Sequence, residues 1–427
     1  MNTLADTKSD ATNRVEKLKE FCTTFAERAF RRPLSPELKA TLVDGQFADG
    51  VAPESAVKRV VMLVLTSPRF LYPELPGPVD DYTIAARLAL AMWDSLPDAA
   101  LREAAARGGD SYAGIKCGPR PGGCWTDHRA GTKLREFFHH WLALEEAGDI
   151  TKDHQAFPDF DEALLADLHT SLEKFVEHVV WSDASDYRQL LEADYLFLNP
   201  RLAKFYGAET NATDGFTLVE FDAQQRAGIF THPLLLSAFS YHKSTSPIHR
   251  GVFLTRNVFG RFLKPPPMAI EFMDDRFDPS LTMREKVTQL TSKDACMGCH
   301  VTINPLGFSL ENYDAVGRYR TMDNDKPVDP ESDYTTPEGQ VLRLRGPRDL
   351  ADHAVTSADA RRGFVRQMFQ QTVKQAPVAY GENTLKELDT RFVDSGYHIR
   401  NLLVDVVVTA ATHGTTNQTA TQVANRQ

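Results

Sequence analysis

Apolar residues recur every three or four positions along most of the chain, which is the spacing that buries one face of a helix. Polar and charged residues fill the positions between them, and proline or glycine stands where each run stops. The pattern predicts helices over residues 11–30, 52–72, 80–106, 130–147, 162–181, 357–375 and 384–413. We therefore expect a mainly α fold.

Two segments interrupt the helical pattern. Residues 319–346 are typical of short strands and turns, and residues 208–222 of a short hairpin or loop. Three consecutive prolines stiffen a connector at 263–280. A capping-box pattern after the connector, Thr282 with Glu285, predicts the start of a helix, and Pro247 suits the first turn of another.

These interruptions divide the chain into three predicted domains. A multi-helical N-terminal domain covers residues 1–110, a central helical domain covers 126–262, and a small α domain with a minor β insertion covers 263–427. With 427 residues, 42% of them hydrophobic and 25% charged, the chain has enough apolar material for such cores.

Charge and hydropathy narrow the function classes. A net charge of −10 argues against nucleic acid as a partner, because proteins that bind it present basic surfaces. No uninterrupted run of about 18 apolar residues predicts a transmembrane segment. The N-terminus lacks the apolar core of a secretory signal, which taken alone predicts a cytoplasmic protein.

A Cys-x-x-Cys-His cluster, formed by Cys296, Cys299 and His300, offers three chemistries. A dithiol–disulfide pair of the thioredoxin type needs a βαβ context, which the surrounding pattern does not predict. A structural zinc needs four ligands, and the remaining cysteines are far away and form no second pair. A c-type haem needs two thiols and an adjacent imidazole, and the carbonyl of Pro305 could then hold that ring. Residues 304–307 are equally explained as a β-turn.

Several longer stretches carry a resemblance. They are "FAERAFRRPLSPEL", "VLTSPRFLY", "EADYLFLNPRLAKFYG", "STSPIHRGVFLTRNVFG" and "CMGCHVTINPLGFSLENYDAVGRYR". In these the chain resembles the planctomycete-type cytochrome-c-like proteins, secreted modular proteins of largely unassigned function. The resemblance implies a cytochrome-c-like C-terminal domain, with haem c attached at Cys296 and Cys299 and His300 as the axial iron ligand. It also implies export to the periplasm or the cell exterior, on a leader that this sequence does not display.

Further residues are candidates for the same centre. The sixth iron ligand is expected among His242, His249, Met268, Met273 and Met322, although the histidines are equally explained as loop residues and the methionines as packing. Without a sixth ligand the iron would be open to small ligands. Arg318 and Arg320 could pair with haem propionates or form an ordinary exposed charge pair.

The remaining chemistry-bearing residues are given structural interpretations. Cys117 and Cys124 flank a Pro/Gly loop and form either a disulfide or two free thiols, and Cys22 is expected to be buried. A surface turn is expected at Asp323, Asp325 and Asp329, and a solvated helix face at His169, Glu173 and Glu177.

No hydrolase or nucleotide-binding motif is present in the sequence. The favoured hypothesis is electron transfer to an unidentified redox partner. The alternatives are a peroxidase-like haem enzyme, and a scaffold with zinc or an empty site.

Overall fold

The computed structural model describes residues 2–48, 50–72, 79–108, 128–145, 149–264 and 272–412. It confirms a mainly α fold, with small two-stranded sheets as the only strands among these residues. The chain forms two compact units, one of residues 1–133 with 407–427 and one of residues 134–406. The domain boundary expected at 262/263 lies inside the second unit.

The first unit is a set of helices, most of which begin at a start signal that is visible in the sequence. Proline at the first helical position or a capping side chain begins most of them. Leu18, Cys22, Val57 and Val60 are among the buried residues that pack α1 against α3. The helices are α1 (Arg14–Phe30), α2 (Pro36–Leu42), α3 (Pro53–Leu65), α4 (Pro68–Leu71), α5 (Asp81–Trp93) and α6 (Ala99–Arg107), with a 3-10 turn at Asp44–Phe47.

The second unit contains the Cys-x-x-Cys-His cluster. Its strands pair as three antiparallel hairpin-like sheets, β1 with β2, β3 with β4 and β5 with β6. The strands are β1 (Tyr195–Leu198), β2 (Thr217–Glu220), β3 (Met322–Asp323), β4 (Lys326–Pro327), β5 (Ser332–Thr335) and β6 (Val341–Leu344). The helices are α7 (His128–Trp141), α8 (Glu162–Trp181), α9 (Gln189–Glu192), α10 (Pro200–Tyr206), α11 (Pro233–Ala238), α12 (Pro247–Phe253), α13 (Met283–Leu290), α14 (Asp294–Phe308), α15 (Pro347–Thr356), α16 (Ala358–Val373), α17 (Thr384–Asp394) and α18 (Ile399–Thr412). The boundaries between the units fall within α7 and α18.

An aromatic cluster forms the core of the second unit. The rings of Trp141, Tyr187, Phe364 and Phe392 pack at centroid distances of 4.5–6.4 Å. A π-helical turn, Leu254–Val258, continues α12. Within it, the side-chain amide of Asn257 donates to the Trp141 carbonyl, and the Trp141 indole N–H donates to the Asn257 carbonyl. The turn also contacts α14. This core therefore supports the helix that carries the cluster.

Helices α12 and α14 approach each other closely because two glycines lie in their interface. A methyl group at Gly251 would overlap the backbone of Ile303, and one at Gly307 would overlap Pro247. Pro247 thus faces Gly307 while Gly251 faces Ile303, so the helices run antiparallel. The capping box of Thr282 and Glu285 is confirmed at the start of α13. No helix in the described ranges is long and apolar enough to cross a membrane.

Candidate functional site

The Cys-x-x-Cys-His cluster lies in the first half of helix α14. Cys296, Cys299 and His300 are all partly exposed, and both cysteines are free thiols. The alternative interpretation of residues 304–307 as a β-turn is wrong, because the helix continues through Pro305 to Phe308. Cys22 contrasts with this pair: it is fully buried, as expected, and burial raises the pKa of its thiol to about 11.

A chain of side-chain hydrogen bonds fixes the imidazole of His300. The Thr291 hydroxyl donates to the Val287 carbonyl at 2.8 Å, so its oxygen is free to accept from Asn304 Nδ2 at 2.9 Å. Asn304 therefore presents Oδ1 to His300 Nδ1, 2.8 Å away. Because Oδ1 only accepts, Nδ1 carries the hydrogen and Nε2 keeps a free lone pair.

Pro305, whose carbonyl is expected from the sequence to hold the His300 ring, has another partner in this structure. Its carbonyl accepts a bond from the amide of Ser309, at 3.3 Å, as part of the helix end. Asn304, the residue before it, holds the imidazole instead. The four-residue spacing of His300 and Asn304 would have indicated this, had a helix been expected there.

A surface cleft of about 510 Å³ lies beside His300, within the size range of small-molecule pockets. From α14 it is lined by His300 and by residues that include Met297 and Val301, which are 37% and 50% exposed. From α13 it is lined by Arg284, Thr288 and Thr291, and from the loop and hairpin beyond by Asp329, Glu331, Ser332, Asp333 and Arg343. The cleft thus joins an apolar helix face to a charged rim.

The donor set at the cluster fits a c-type haem better than a metal ion. A bare ion needs three or four donors that converge on one point. Throughout the ranges that the structure describes, no three His, Cys, Asp or Glu side chains converge in this way. A haem c needs thiols at the porphyrin edge and an imidazole with a free Nε2 at its centre, and the cluster offers both kinds of donor. The zinc alternative gains no support here.

Arg318 and Arg320 do not line the cleft beside His300. Arg318 pairs with Asp314 at 2.9 Å and lies over the rings of Phe157 and Phe205. Arg320 pairs with Glu311 at 3.2 Å and Asp323 at 2.6 Å. Because neither side chain lines the cleft, these contacts give no support to the prediction that Arg318 and Arg320 meet haem propionates.

A buried charge network joins two of the stretches that carry the family resemblance. Arg250 is almost fully buried and donates to the carbonyls of Leu310, Tyr313 and Asp314 at 2.9–3.0 Å. Its Nη1 is 3.6 Å from Glu311, which also accepts from Thr245 at 2.9 Å. Sequence reasoning missed this network, because nothing local pairs an arginine with a glutamate about sixty residues away.

The histidines predicted as sixth ligands, His242 and His249, do not line the cleft beside His300. His242 contacts the Thr151 hydroxyl at 3.3 Å, and Lys152 holds the backbone of Tyr241 beside it. His249 packs on the ring of Tyr241, and burial lowers its pKa. Their loop meets the C-terminal end of α14, through the Thr245–Glu311 bond, rather than the half that carries His300. The structure therefore gives no support to either histidine as an iron ligand.

The other candidate residues are placed as follows. Met273 precedes a 3-10 turn and Met322 is a half-exposed residue of β3, whereas Met268, Cys117 and Cys124 lie outside the described residues. Asp323 caps the Met283 amide at the start of α13, and Asp325 lies in the adjacent turn. On α8, Glu177 pairs with Arg135, and Glu173 is 3.8 Å from His139. His169 lies on the exposed face of α8, and partial desolvation lowers its pKa.

Comparisons with known proteins place the cluster inside a named family. Three family models match: PSD5, a protein of unknown function (DUF1595), over residues 17–73; PSD4, a protein of unknown function (DUF1592), over 79–208; and PSCyt3, a protein of unknown function (DUF1588), over 226–323. The last match contains the cluster, Asn304 and the Arg250–Glu311 network. No curated protein and no solved structure matches the chain. The chain belongs to the planctomycete cytochrome-c-like proteins.

Proposed function

We propose that this protein holds one covalent haem c at Cys296, Cys299 and His300, and that it transfers electrons to a redox partner in the periplasm or outside the cell. The observation that carries the proposal is the hydrogen-bond chain from Thr291 through Asn304 to His300. An imidazole that only packs gains nothing from a free Nε2, whereas an iron ligand requires it.

Each residue has a separate task in this proposal. Cys296 and Cys299 would form the thioethers and set the position of the porphyrin edge. His300 would provide the axial nitrogen, and Asn304 would keep its ring from turning. The bound group would supply a one-electron iron couple. The free, partly exposed state of both thiols is compatible with attachment.

Export with cytochrome c maturation tests the proposal. The chain, fused to a periplasmic export signal, should give a haem-staining band on a denaturing gel and a haem-to-protein ratio near one. Replacing Cys296 and Cys299 by alanine should abolish the band. Cys22→Ala is the matched control, because this buried cysteine lies in the other unit and should leave the haem ratio unchanged. Protein recovered from that compartment without covalent haem would refute the proposal.

A peroxidase-like enzyme is the second candidate, and the positions of His242 and His249 favour it. Both bond or pack elsewhere, which weakens the case for a closed, six-coordinate iron. The spin state of the ferric protein separates the two functions. A low-spin spectrum supports electron transfer, whereas a high-spin spectrum with rapid peroxide reduction supports the enzyme.

A further inference from the structure

The positions of the two cysteines relative to His300 define where the vinyl edge and the propionate edge of a haem would lie. Successive residues of an α-helix turn by about 100°. Cys296 and Cys299 therefore stand to one side of His300, and Met297 and Asn304 stand to the other. Thioethers form at the vinyl edge of the porphyrin, and its two propionates leave the opposite edge. The propionates then belong on the side away from the thiols, which is the side of the cleft.

Among the cations that line the cleft, Arg284 is the best candidate to bind a propionate. Its guanidinium lies 4.6 Å from the ring centroid of Phe308 and donates to the Asp329 carbonyl at 2.9 Å and the Ser332 hydroxyl at 3.2 Å. The nearest side-chain anion, Asp329, is 3.5 Å away and 60% exposed. Burial lowers the pKa of Arg284, so this cation is only partly compensated and a further carboxylate would stabilise it.

The other charged groups of the cleft lie at its rim. Arg343 pairs with Glu331 at 2.8 Å and Asp333 at 3.1 Å, and all three side chains are about half-exposed or more. Exposed pairs of this kind contribute little and exchange partners readily. The carboxylates of Asp329, Glu331 and Asp333 also make the cleft a poor site for free anions. An anion that another bond holds beside the cleft, such as the carboxylate of a haem coordinated by His300, is the kind of ligand that it favours.

We infer that Arg284, assisted by Arg343 at the rim, binds the propionate carboxylates of the haem in place of Arg318 and Arg320. Guanidinium and carboxylate match in geometry and form charge-assisted bonds. The inference rests on the proposed function and adds the residues that orient the group within the cleft.

Non-covalent haemin binding tests this assignment without any activity measurement. The full-length chain, made without maturation and kept reduced, is titrated with haemin and with haemin dimethyl ester, whose propionates are uncharged. The Soret shift reports binding. The wild-type chain should bind haemin at least about tenfold more tightly than the ester, as expected for a charge-assisted bond. Arg284→Gln should remove most of that preference, and Arg343→Gln should reduce it.

Arg318→Gln is the matched control, because Arg318 and Arg343 are similarly exposed, at 42% and 49%. It should keep the full preference for haemin. Arg284→Lys should keep part of it, and circular dichroism checks that each variant is folded.

Two outcomes overturn the assignment alone: a wild-type chain that binds both porphyrins equally, or an unchanged preference in both Arg284→Gln and Arg343→Gln. A chain that takes up neither porphyrin, and no covalent haem during maturation, overturns the proposed function as well.

Discussion

The two halves of helix α14 are built in different ways. The C-terminal half is sealed: Ile303, Leu306 and Gly307 are buried, and the segment that follows is held by Arg250. The N-terminal half is open: both cysteines and His300 are partly exposed, and space surrounds Gly298. The fold therefore depends on one half of the helix, and the other half is free to receive a ligand.

The largest effect is expected where the sealed half is broken. Glu311→Ala leaves Arg250 buried without its carboxylate, and losing one partner of a buried pair costs about 3–5 kcal/mol. Urea unfolding measures the free energy. Glu331→Ala, which removes an exposed ion-pair partner in the same unit, should change stability by about 0.5 kcal/mol or less. Similar losses for the two variants would contradict the comparison.

Two glycines of the same helix provide a direct test of the comparison. Gly307→Ala places a methyl group against Pro247 and should destabilise the protein by about 3 kcal/mol. Gly298→Ala meets no atom within 4 Å and should stabilise the helix by about 0.5–1 kcal/mol. Thermal unfolding of both variants measures the contrast. Equal signs for the two substitutions would show that the halves do not differ in packing.

Acid should destabilise the second unit through His232. This imidazole is fully buried, accepts the Leu234 amide at Nδ1 and contacts Ser171 through Nε2, which is the opposite tautomer to that of His300. Burial lowers its pKa to about 3, so its stabilising effect is complete above the unfolded pKa of about 6.5 and is lost as pH falls. At pH 5 the loss should be about 2 kcal/mol.

Urea unfolding at pH 7 and pH 5 checks this dependence. His232→Gln should be less stable at pH 7 and should show a flatter pH profile than the wild type. A profile as steep as that of the wild type would assign the acid sensitivity to other groups.

The smallest effects on stability are expected in the open half, where one substitution can interrupt the hydrogen-bond chain from Thr291 to His300. Thr291→Val removes the acceptor of Asn304 and should cost about 1 kcal/mol. It should also weaken haemin binding about tenfold or more, because the ring loses its fixed tautomer. Nitrogen-15 NMR of the apoprotein should show His300 mostly protonated at Nδ1 in the wild type and mixed in the variant.

Thr390→Val is the control for this experiment. Thr390, on α17 of the same unit, makes the same kind of bond to the Lys386 carbonyl but does not line the cleft. An identical change in haemin affinity for the two valine variants would contradict the proposed role of the hydrogen-bond chain.

Most of the long helices could be predicted from the sequence because their signals are local. Apolar periodicity identified α1, α3 and α8, and the capping box identified the start of α13. The positions of Cys296, Cys299 and His300 were likewise visible as a motif. These features need only neighbouring residues, so a single sequence contains enough information.

The supporting residues could not be predicted in the same way. The residues at 304–307 suggested a turn, whereas packing against Pro247 holds them in a helix. The partners of Arg250 and the surroundings of His249 depend on how α12 lies against α14. Such tertiary contacts outweigh local preference and leave no periodic trace in the sequence.

Pro305 has a consequence for hydrogen exchange. It has no amide hydrogen, so the helical bond to the Val301 carbonyl is missing at the junction of the two halves. Opening of residues 294–301 therefore need not propagate into residues 306–308. Amides of the first segment should exchange by local fluctuation, while those of the second should exchange only when the unit unfolds. Under the proposed function, local opening would then let both thiols reach the vinyl groups of a haem in a chain that is already folded.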